Sequence, residues 1–560
     1  MDIPYGITDF KKIRDKGLLY VDKTRYIEIL EDKIGADFLF FIRPRRFGKT
    51  LFLSTLEYYY DLRYNEQFED LFTGLYIGHN PTKLKNSYLI LNFDFSGLNT
   101  GSTDELKKSF EDRILSGLIA FFKKYKKYFS EAEELIDELK KSSSTRRLDI
   151  FFNQVLMTEE KVFLIIDEYD HFANDLIAVG NDGYYKDVIR ASGFVRDFYE
   201  NIKIGTKKVI DKIFITGIAP IMLDDLTSGF NITSNITIEP LTNEMLGFTE
   251  EEVEEIINKL NIDVDMKMLK EYYNGYLFNV ECEKRVYNPD MVLYYVNEWL
   301  KYKRPPGELI TDNVKTDYGR LNRLVNNKVN QEILEKIIKE EKIVADLVSK
   351  FSFDRMYDQK YFISLLFYMG LLTIDKKIRT RLTLQIPNFV IKSLFWSYFE
   401  ERIKEELQLS LNIEELKRAV EALAFDGQLN PYIEYVQNHA LRLLLNRDLI
   451  NFDDYYIKVI LFSFLTQNNL YKPMSEREVE GGYIDIFLEK DFRFPEIKYE
   501  WLWELKYIKN SDLSKLEQVK KEGLKQLERY AVSDKFKDKD NLKKALIIFI
   551  GKDEYEIFLT

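Results

Sequence analysis

Phe38 to Leu53 reads FLFFIRPRRFGKTLFL, and the rest of the chain is arranged around that stretch. The apolar run Phe38 to Ile42 predicts a parallel-type strand buried on both faces, and the short loop closing in Gly48-Lys49-Thr50 leads into an apolar-periodic helix. Strand, loop and helix in that order make a phosphate loop. Backbone N–H groups at the helix mouth wrap a polyphosphate, Lys49 reaches its outer phosphates, and the Thr50 hydroxyl ligates Mg²⁺. Arg43 stands where G-x-x-x-x-G-K-[ST] has its first glycine, followed by Pro44, Arg45 and Arg46. That glycine serves a tight turn, and arginines beside the phosphates offset its loss electrostatically. The tripeptide alone leaves a basic turn between strand and helix open.

Tyr88 to Phe95 predicts a second apolar strand, and Asp104 to Lys140 a largely helical run with Leu106, Phe110, Ile114, Leu118 and Phe121 at three- and four-residue steps. Ser142 to Thr145 marks a turn. The next strand, Val162 to Ile166, ends in Asp167-Glu168, and open α/β sheets place their ligands at that edge. Asp167 would hold Mg²⁺ through its water shell and Glu168 would orient and deprotonate the attacking water; a helix N-cap after a core strand is the plainer alternative. Lys212 to Ile215 ends in Thr216-Gly217, with Thr216 set to sense the terminal phosphate. Three such strands joined by helices imply a doubly wound parallel P-loop sheet. Upstream, Ile7 to Leu30 includes Tyr20-Val21-Asp22-Lys23-Thr24 and reads as a packing segment over the edge of this domain. RPRRFGKT, DEYD, YVDKT and a later YNGY together resemble the AAA-ATPase-like family of bacterial and archaeal proteins. The resemblance implies ATP as ligand, an arginine-rich loop in place of the first glycine, and Arg45, Arg46, Gly48, Lys49, Thr50, Asp167 and Thr216 around the nucleotide, with Glu168 catalytic.

With 560 residues, 45% of them apolar, the chain has length for several domains with real cores. Acidic side chains number 93 against 81 basic, and the resulting net charge of −12 confines nucleic-acid contact to local patches. One cysteine, Cys282, and three histidines leave no intrachain disulfide and no zinc site of the Cys/His kind. No apolar targeting segment opens the chain and no stretch of membrane-spanning length occurs, so the expectation is a cytoplasmic protein with no membrane partner.

After Leu241 the chain turns helical: Thr249 to Glu252 fits a capping box, and Tyr273-Asn274-Gly275-Tyr276 and Tyr287-Asn288-Pro289 resemble the family's lid. Gly307 to Lys350, including QEILEKIIKEEKIVADLVSK, reads as a polar helical connector. A helix ended by Gly370, a hairpin carrying Lys376, Lys377, Arg379 and Arg381, and a further helix give a winged-helix-like order; a solvated tip is the favoured account of those cations, with nucleic-acid contact the other. LLFYMGLLT and LQIPN resemble the family's linker region.

The last segment has a second chemistry. Tyr483 to Leu488 predicts a strand, and in Glu500-Trp501-Leu502-Trp503-Glu504-Leu505-Lys506-Tyr507 alternation puts Glu504 and Lys506 on one face, with Asp485 beside them if the two strands pair. Two carboxylates and an ammonium would bind one or two Mg²⁺ ions, polarise a phosphodiester and position a water. Edge-strand charges that deter aggregation are the bland account, but apolar neighbours on both sides argue for a buried strand. Gln526 and Tyr530, four apart, share a helical face. This constellation resembles the PD-(D/E)XK nuclease superfamily, which implies Asp485 and Glu504 as metal ligands, Lys506 as the catalytic lysine, and Gln526 and Tyr530 as supporting residues. Tyr483 departs from an Arg common in relatives, and the upstream acid lies among Glu476, Glu478 and Glu480.

The expected architecture is α/β: a P-loop domain over 1–240, a helical lid over 241–305, a helical and winged-helix-like linker over 306–429, and a restriction-endonuclease-like α/β domain over 430–560. The expected function is ATP binding and hydrolysis joined to Mg²⁺-dependent cleavage of DNA or RNA. The alternative is a nucleotide-dependent binding switch whose C-terminal fold docks a partner without cleavage. A homo-oligomer would supply an arginine to the ATP site; within the chain Arg190 and Arg196 are the candidates.

Overall fold

The computed structural model describes residues 2–173, 193–221, 231–311, 314, 325, 328–350, 358–406, 412–443, 454–465, 468–479, 482–534, 536–537 and 539–560. The chain divides into two compact units, Met1–Ile391 and Lys392–Thr560. Among the described residues no helix is long and apolar enough to cross a membrane.

The first unit is built on five parallel strands, β1 (Phe38–Ile42), β2 (Leu89–Asp94), β3 (Val162–Asp167), β4 (Ile210–Gly217) and the two-residue β5 (Ser234–Asn235), in the order β2-β3-β4-β1-β5. Helix α1 (Lys49–Tyr60) follows β1; α2 (Thr103–Lys124), α3 (Ala132–Lys141) and α4 (Ser144–Leu156) lie between β2 and β3; α5 (Phe194–Gly205) precedes β4. All six residues of β3 are buried, as a strand covered on both faces requires. β4 lies between β1 and β3, so the strand leading to the phosphate loop and the strand ending in Asp167 are not neighbours. Parallel register sets Asp94 beside Asp167 and Phe41 beside Thr216, which brings four strand ends to one edge. The helical run read as Asp104 to Lys140 is two helices, because Tyr125 leaves the α-region and a tight turn at Lys126–Tyr128 intervenes. The turn expected at Ser142 to Thr145 is shorter, since Ser144 already opens α4.

The segment expected as a lid holds α6 (Glu250–Lys259), α7 (Met266–Tyr273) and α8 (Pro289–Tyr302). The expected capping box is present: Thr249 accepts from the Glu252 N–H, and the Glu252 carboxylate accepts from the Thr249 N–H. Beyond α9 (Lys328–Glu340) the structure corrects the reading of a helical connector. Lys342–Ala345 is a strand, β6, because the edge of β8 takes up its backbone, and Ile343 and Ala345 then alternate inward while Lys342 and Val344 face out. It pairs with the expected hairpin, β7 (Thr373–Ile378) and β8 (Arg381–Gln385), after α10 (Gln359–Tyr368), in the order β6-β8-β7. Gly370 ends that helix at φ +79. Helix α11 (Phe389–Glu406) then carries the chain into the second unit.

That unit holds α12 (Ile413–Glu421), α13 (Asn430–His439), α14 (Asp454–Leu465) and a mixed sheet of β9 (Tyr471–Val479), β10 (Gly482–Lys490), β11 (Glu500–Ile508), β12 (Leu542–Ile550) and β13 (Glu554–Leu559). The order is β13-β12-β11-β10-β9; only β11 and β12 run parallel, joined by the crossover helix α15 (Leu516–Ala531). Gly523 allows α15 close to the sheet, since a Cβ there would lie 2.6 Å from the Leu546 side chain. Leu527, Tyr530, Leu502 and Ile548 share the resulting core.

Candidate active sites

In the phosphate loop the left-handed backbone that glycine favours falls at Arg46, φ +66, and Gly48, φ +90. Arg43 has ordinary backbone and needs no glycine. Its guanidinium is buried, donating to the carbonyls of Thr237 at 2.6 Å and Thr242 at 2.7 Å, between the rings of Phe41 and Phe278. Burial lowers its pKa to about 9. The first arginine of RPRRF is therefore a strut holding the start of the lid to β1, and it faces carbonyls and rings.

Lys49 is buried at the head of α1, and its Nζ donates to the carbonyls of Arg43 and Pro44 at 3.0 Å each, so the loop curls round its own lysine. Burial lowers its pKa, with Asp167, Glu168 and Asp170 opposing. The Thr50 hydroxyl donates to Asp167 Oδ2 at 2.8 Å across 117 residues of chain. Burial raises the Asp167 pKa to about 6, against the pull of Thr50 and Lys49. Glu168 sits at φ +49, its N–H on Asp167 Oδ1 and its Oε2 3.7 Å from the His171 ring. Thr216 is buried and its hydroxyl has no hydrogen-bond partner among the described residues. Asp170, the last residue of DEYD, accepts from the N–H groups of Ile218 and Ala219 and so fixes the turn after Thr216. Lys49, Thr50 and Asp167 are thus together as expected. Arg45 is half-buried, and Arg46 is 3.5 Å from Asp290 on α8. Arg196 is bound to Glu200 of its own helix at 2.9 Å, and Arg190 lies outside the described residues.

The opening segment packs over the phosphate loop and lines a cavity. Tyr5, Ile7, Leu19 and Val21 line a cavity of about 380 Å³ whose other walls include Gly48, Leu51 and Phe248. Lys23, also in its wall, bonds Glu252 Oε2 at 2.6 Å and the Glu244 carbonyl at 3.1 Å, tying YVDKT to the lid's capping box. Sequence reasoning missed this because the segment meets α1 and the lid only in the folded chain; the buried-type lysine in YVDKT was the available signal.

In the second unit β10 and β11 pair from Leu488–Trp501 to Ile486–Trp503. One step on, the Asp485 carboxylate accepts the Leu505 N–H at 2.9 Å. Lys506 Nζ donates to Glu504 Oε1 at 2.7 Å, while buried Glu504 Oε2 meets no donor among the described residues and faces the Asp485 carboxyl. Burial, then the neighbouring Asp485, pushes the Glu504 pKa up to about 7. Tyr530 is in the core with its hydroxyl near Arg529 at 3.4 Å, and Gln526 is half-buried on the same helix. The side chains of Glu476, Glu478 and Tyr483, and residue Glu480, lie outside what the structure describes. Among the described residues no three His, Cys, Asp or Glu side chains converge as an ion cage. Two carboxylates suit Mg²⁺, which keeps several waters, and the orphaned Glu504 oxygen fits a cation.

Because the folded pKa of Glu504 lies above its unfolded value of 4.5, its favourable contribution is complete below that value and is lost as pH rises through about 7. In chelator, Glu504→Gln is expected to raise the melting temperature at about pH 8 and to leave it nearly unchanged near pH 5. Equal shifts at both values would show that the carboxylate is not held in this desolvated state.

Residues 4–227 match the family described as "Predicted AAA-ATPase", and residues 452–557 match the PD-(D/E)XK nuclease superfamily. An uncharacterized protein in the vnfD 5' region of Azotobacter chroococcum mcd 1 is 25% identical over 297 residues, 52% of this chain and 51% of the relative, so the chain spans about half the length of the curated relative it matches. Among solved structures, a Walker-type ATPase of Pyrococcus abyssi is 14% identical at TM-score 0.38, covering 70% of this chain and 98% of that one. The ORC2 protein of Aeropyrum pernix is 10% identical at TM-score 0.32, covering 68% and 92%.

Proposed function

We propose that this chain, an AAA-ATPase-like domain joined to a PD-(D/E)XK nuclease-superfamily domain, hydrolyses ATP in its first unit and cleaves phosphodiester bonds of DNA or RNA in its second. One observation supports the reading: two carboxylates and a lysine meet on a buried sheet, with one carboxylate oxygen that has no donor among the described residues. Removing ionised groups from water costs several kcal/mol each, of order, unless charge and hydrogen bonds compensate, so a fold retains this cluster for a cation and a charged substrate.

At the ATP site Lys49 would leave its loop carbonyls for the outer phosphates, and the loop N–H groups at the head of α1 would take the remaining oxygens. Glu168 would accept the proton of the attacking water, and the unpartnered Thr216 hydroxyl would face the terminal phosphate. The cavity beside Gly48, with apolar walls, would take the base and ribose. Thr50 and Asp167 would hold Mg²⁺ at this site, and Asp485 and Glu504 at the other. Mg²⁺ when bound supplies charge neutralisation on phosphoryl oxygens. Lys506 would orient the water or the scissile phosphate from the same face as Glu504.

A screen of single- and double-stranded DNA and RNA, with and without ATP and Mg²⁺, tests the proposal. Phosphate release from ATP together with Mg²⁺-dependent scission is expected. ATP binding with neither reaction would overturn it in favour of the binding switch.

A further inference from the structure

The β7–β8 hairpin carries Lys376, Lys377, Arg379 and Arg381, all exposed. Among the described residues none of the four has an acidic side chain within ion-pair distance, and Asp375, the hairpin's own carboxylate, is occupied by Lys342 at 2.9 Å. From Lys376 to Phe399 the chain contains no Asp or Glu. The lid shows the contrary pattern: Lys259, Lys270 and Lys284 are each 2.6 Å from a glutamate. Four like charges within six residues of one hairpin, Lys376 and Lys377 on β7, Arg379 in the turn and Arg381 on β8, repel one another, and a polyanion relieves that repulsion. Ile378, 49% exposed, stands at the tip among them, where an apolar side chain can meet a sugar or base.

The hairpin is also held firmly. The Leu277 N–H donates to Thr373 Oγ1 at 2.7 Å, and Arg285 donates to the Gly275 carbonyl at 2.7 Å and the Asp375 carbonyl at 3.4 Å. Gly370, just before β7, packs so closely on the phosphate loop that a Cβ there would lie 2.9 Å from Pro44 Cβ. Rigid presentation lowers the ordering cost of binding.

We propose that this hairpin is a nucleic-acid contact, its four cations gripping the phosphodiester backbone in a chain whose net charge of −12 leaves few places for it to do so. The inference rests on the proposed function for its partner, and it adds a binding surface in the first unit, distinct from the scission cluster.

Anisotropy of labelled duplex DNA, single-stranded DNA and duplex RNA, titrated with the full chain in chelator, tests it. In the quadruple variant Lys376→Gln, Lys377→Gln, Arg379→Asn, Arg381→Gln, asparagine suits the left-handed backbone of Arg379 at φ +57. Affinity at about 0.1 M salt is expected to fall roughly tenfold or more, and the slope of log K against log salt to shrink by about three to four. The double variant Lys376→Gln, Lys377→Gln, confirmed folded by its melting curve, is expected to shrink it by about two. Neutralising the exposed Lys107, Lys108, Lys123 and Lys141 instead should leave affinity within about twofold. Unchanged affinity and slope in the hairpin variants, equal loss in the control, or binding to anionic phospholipid vesicles without binding to nucleic acid would each overturn the inference. A native chain that binds through the hairpin yet cleaves nothing in Mg²⁺ overturns only the nuclease reading, and one that cleaves while the hairpin variants bind normally overturns only the hairpin.

Discussion

Lys49→Ala is expected to lower ATP turnover roughly 10²- to 10³-fold, the usual cost of deleting one preorganised donor to transition-state charge. Lys49 touches the loop backbone directly, through the carbonyls of Arg43 and Pro44. Losing it strands those two acceptors but also relieves a desolvated ammonium, so the melting temperature should move little compared with turnover. Phosphate release at saturating ATP, read beside a melting curve, separates the two. Turnover that survives in the folded variant would place ATP chemistry elsewhere. The same variant reports coupling: if nucleotide governs scission, any ATP-stimulated part of cleavage disappears and the Mg²⁺-only part stays.

Asp485→Asn is expected to abolish Mg²⁺-dependent cleavage, by more than the roughly 10- to 100-fold that loss of a mere supporting group costs a metal site. Asparagine is the informative choice. Its side-chain oxygen still accepts the Leu505 N–H that Asp485 accepts at 2.9 Å, so the junction of β10 and β11 persists while one negative charge is removed. Without that charge Glu504 loses the neighbour that helps raise its pKa, and the pair can no longer offer a cation two carboxylates. Cleavage by the native chain and the variant, at rising Mg²⁺, is the measurement, with ATP turnover as internal control. ATP turnover should be unchanged, and cleavage equal to native would remove this cluster from the chemistry.

The features legible in the residues alone are local ones. Apolar runs of strand length, the helix opened by Lys49, the capping box at Thr249 and the alternation that puts Glu504 and Lys506 on one face are all set by periods of two or 3.6 residues and by residues within a turn of one another. The tertiary structure decided what joins distant segments. Nothing near Arg43 announces that its guanidinium will reach Thr237 and Thr242, nothing near Leu19 or Val21 announces a cavity wall, and Lys342–Ala345 becomes a strand only because β8 offers it an edge. The Thr50 bond to Asp167 and the Asp485 bond to Leu505 likewise exist only once strand order and register are fixed. Periodicity says which face of an element must be buried, but its partner is chosen by packing and chain closure across the whole unit, where many pairings share the same local pattern.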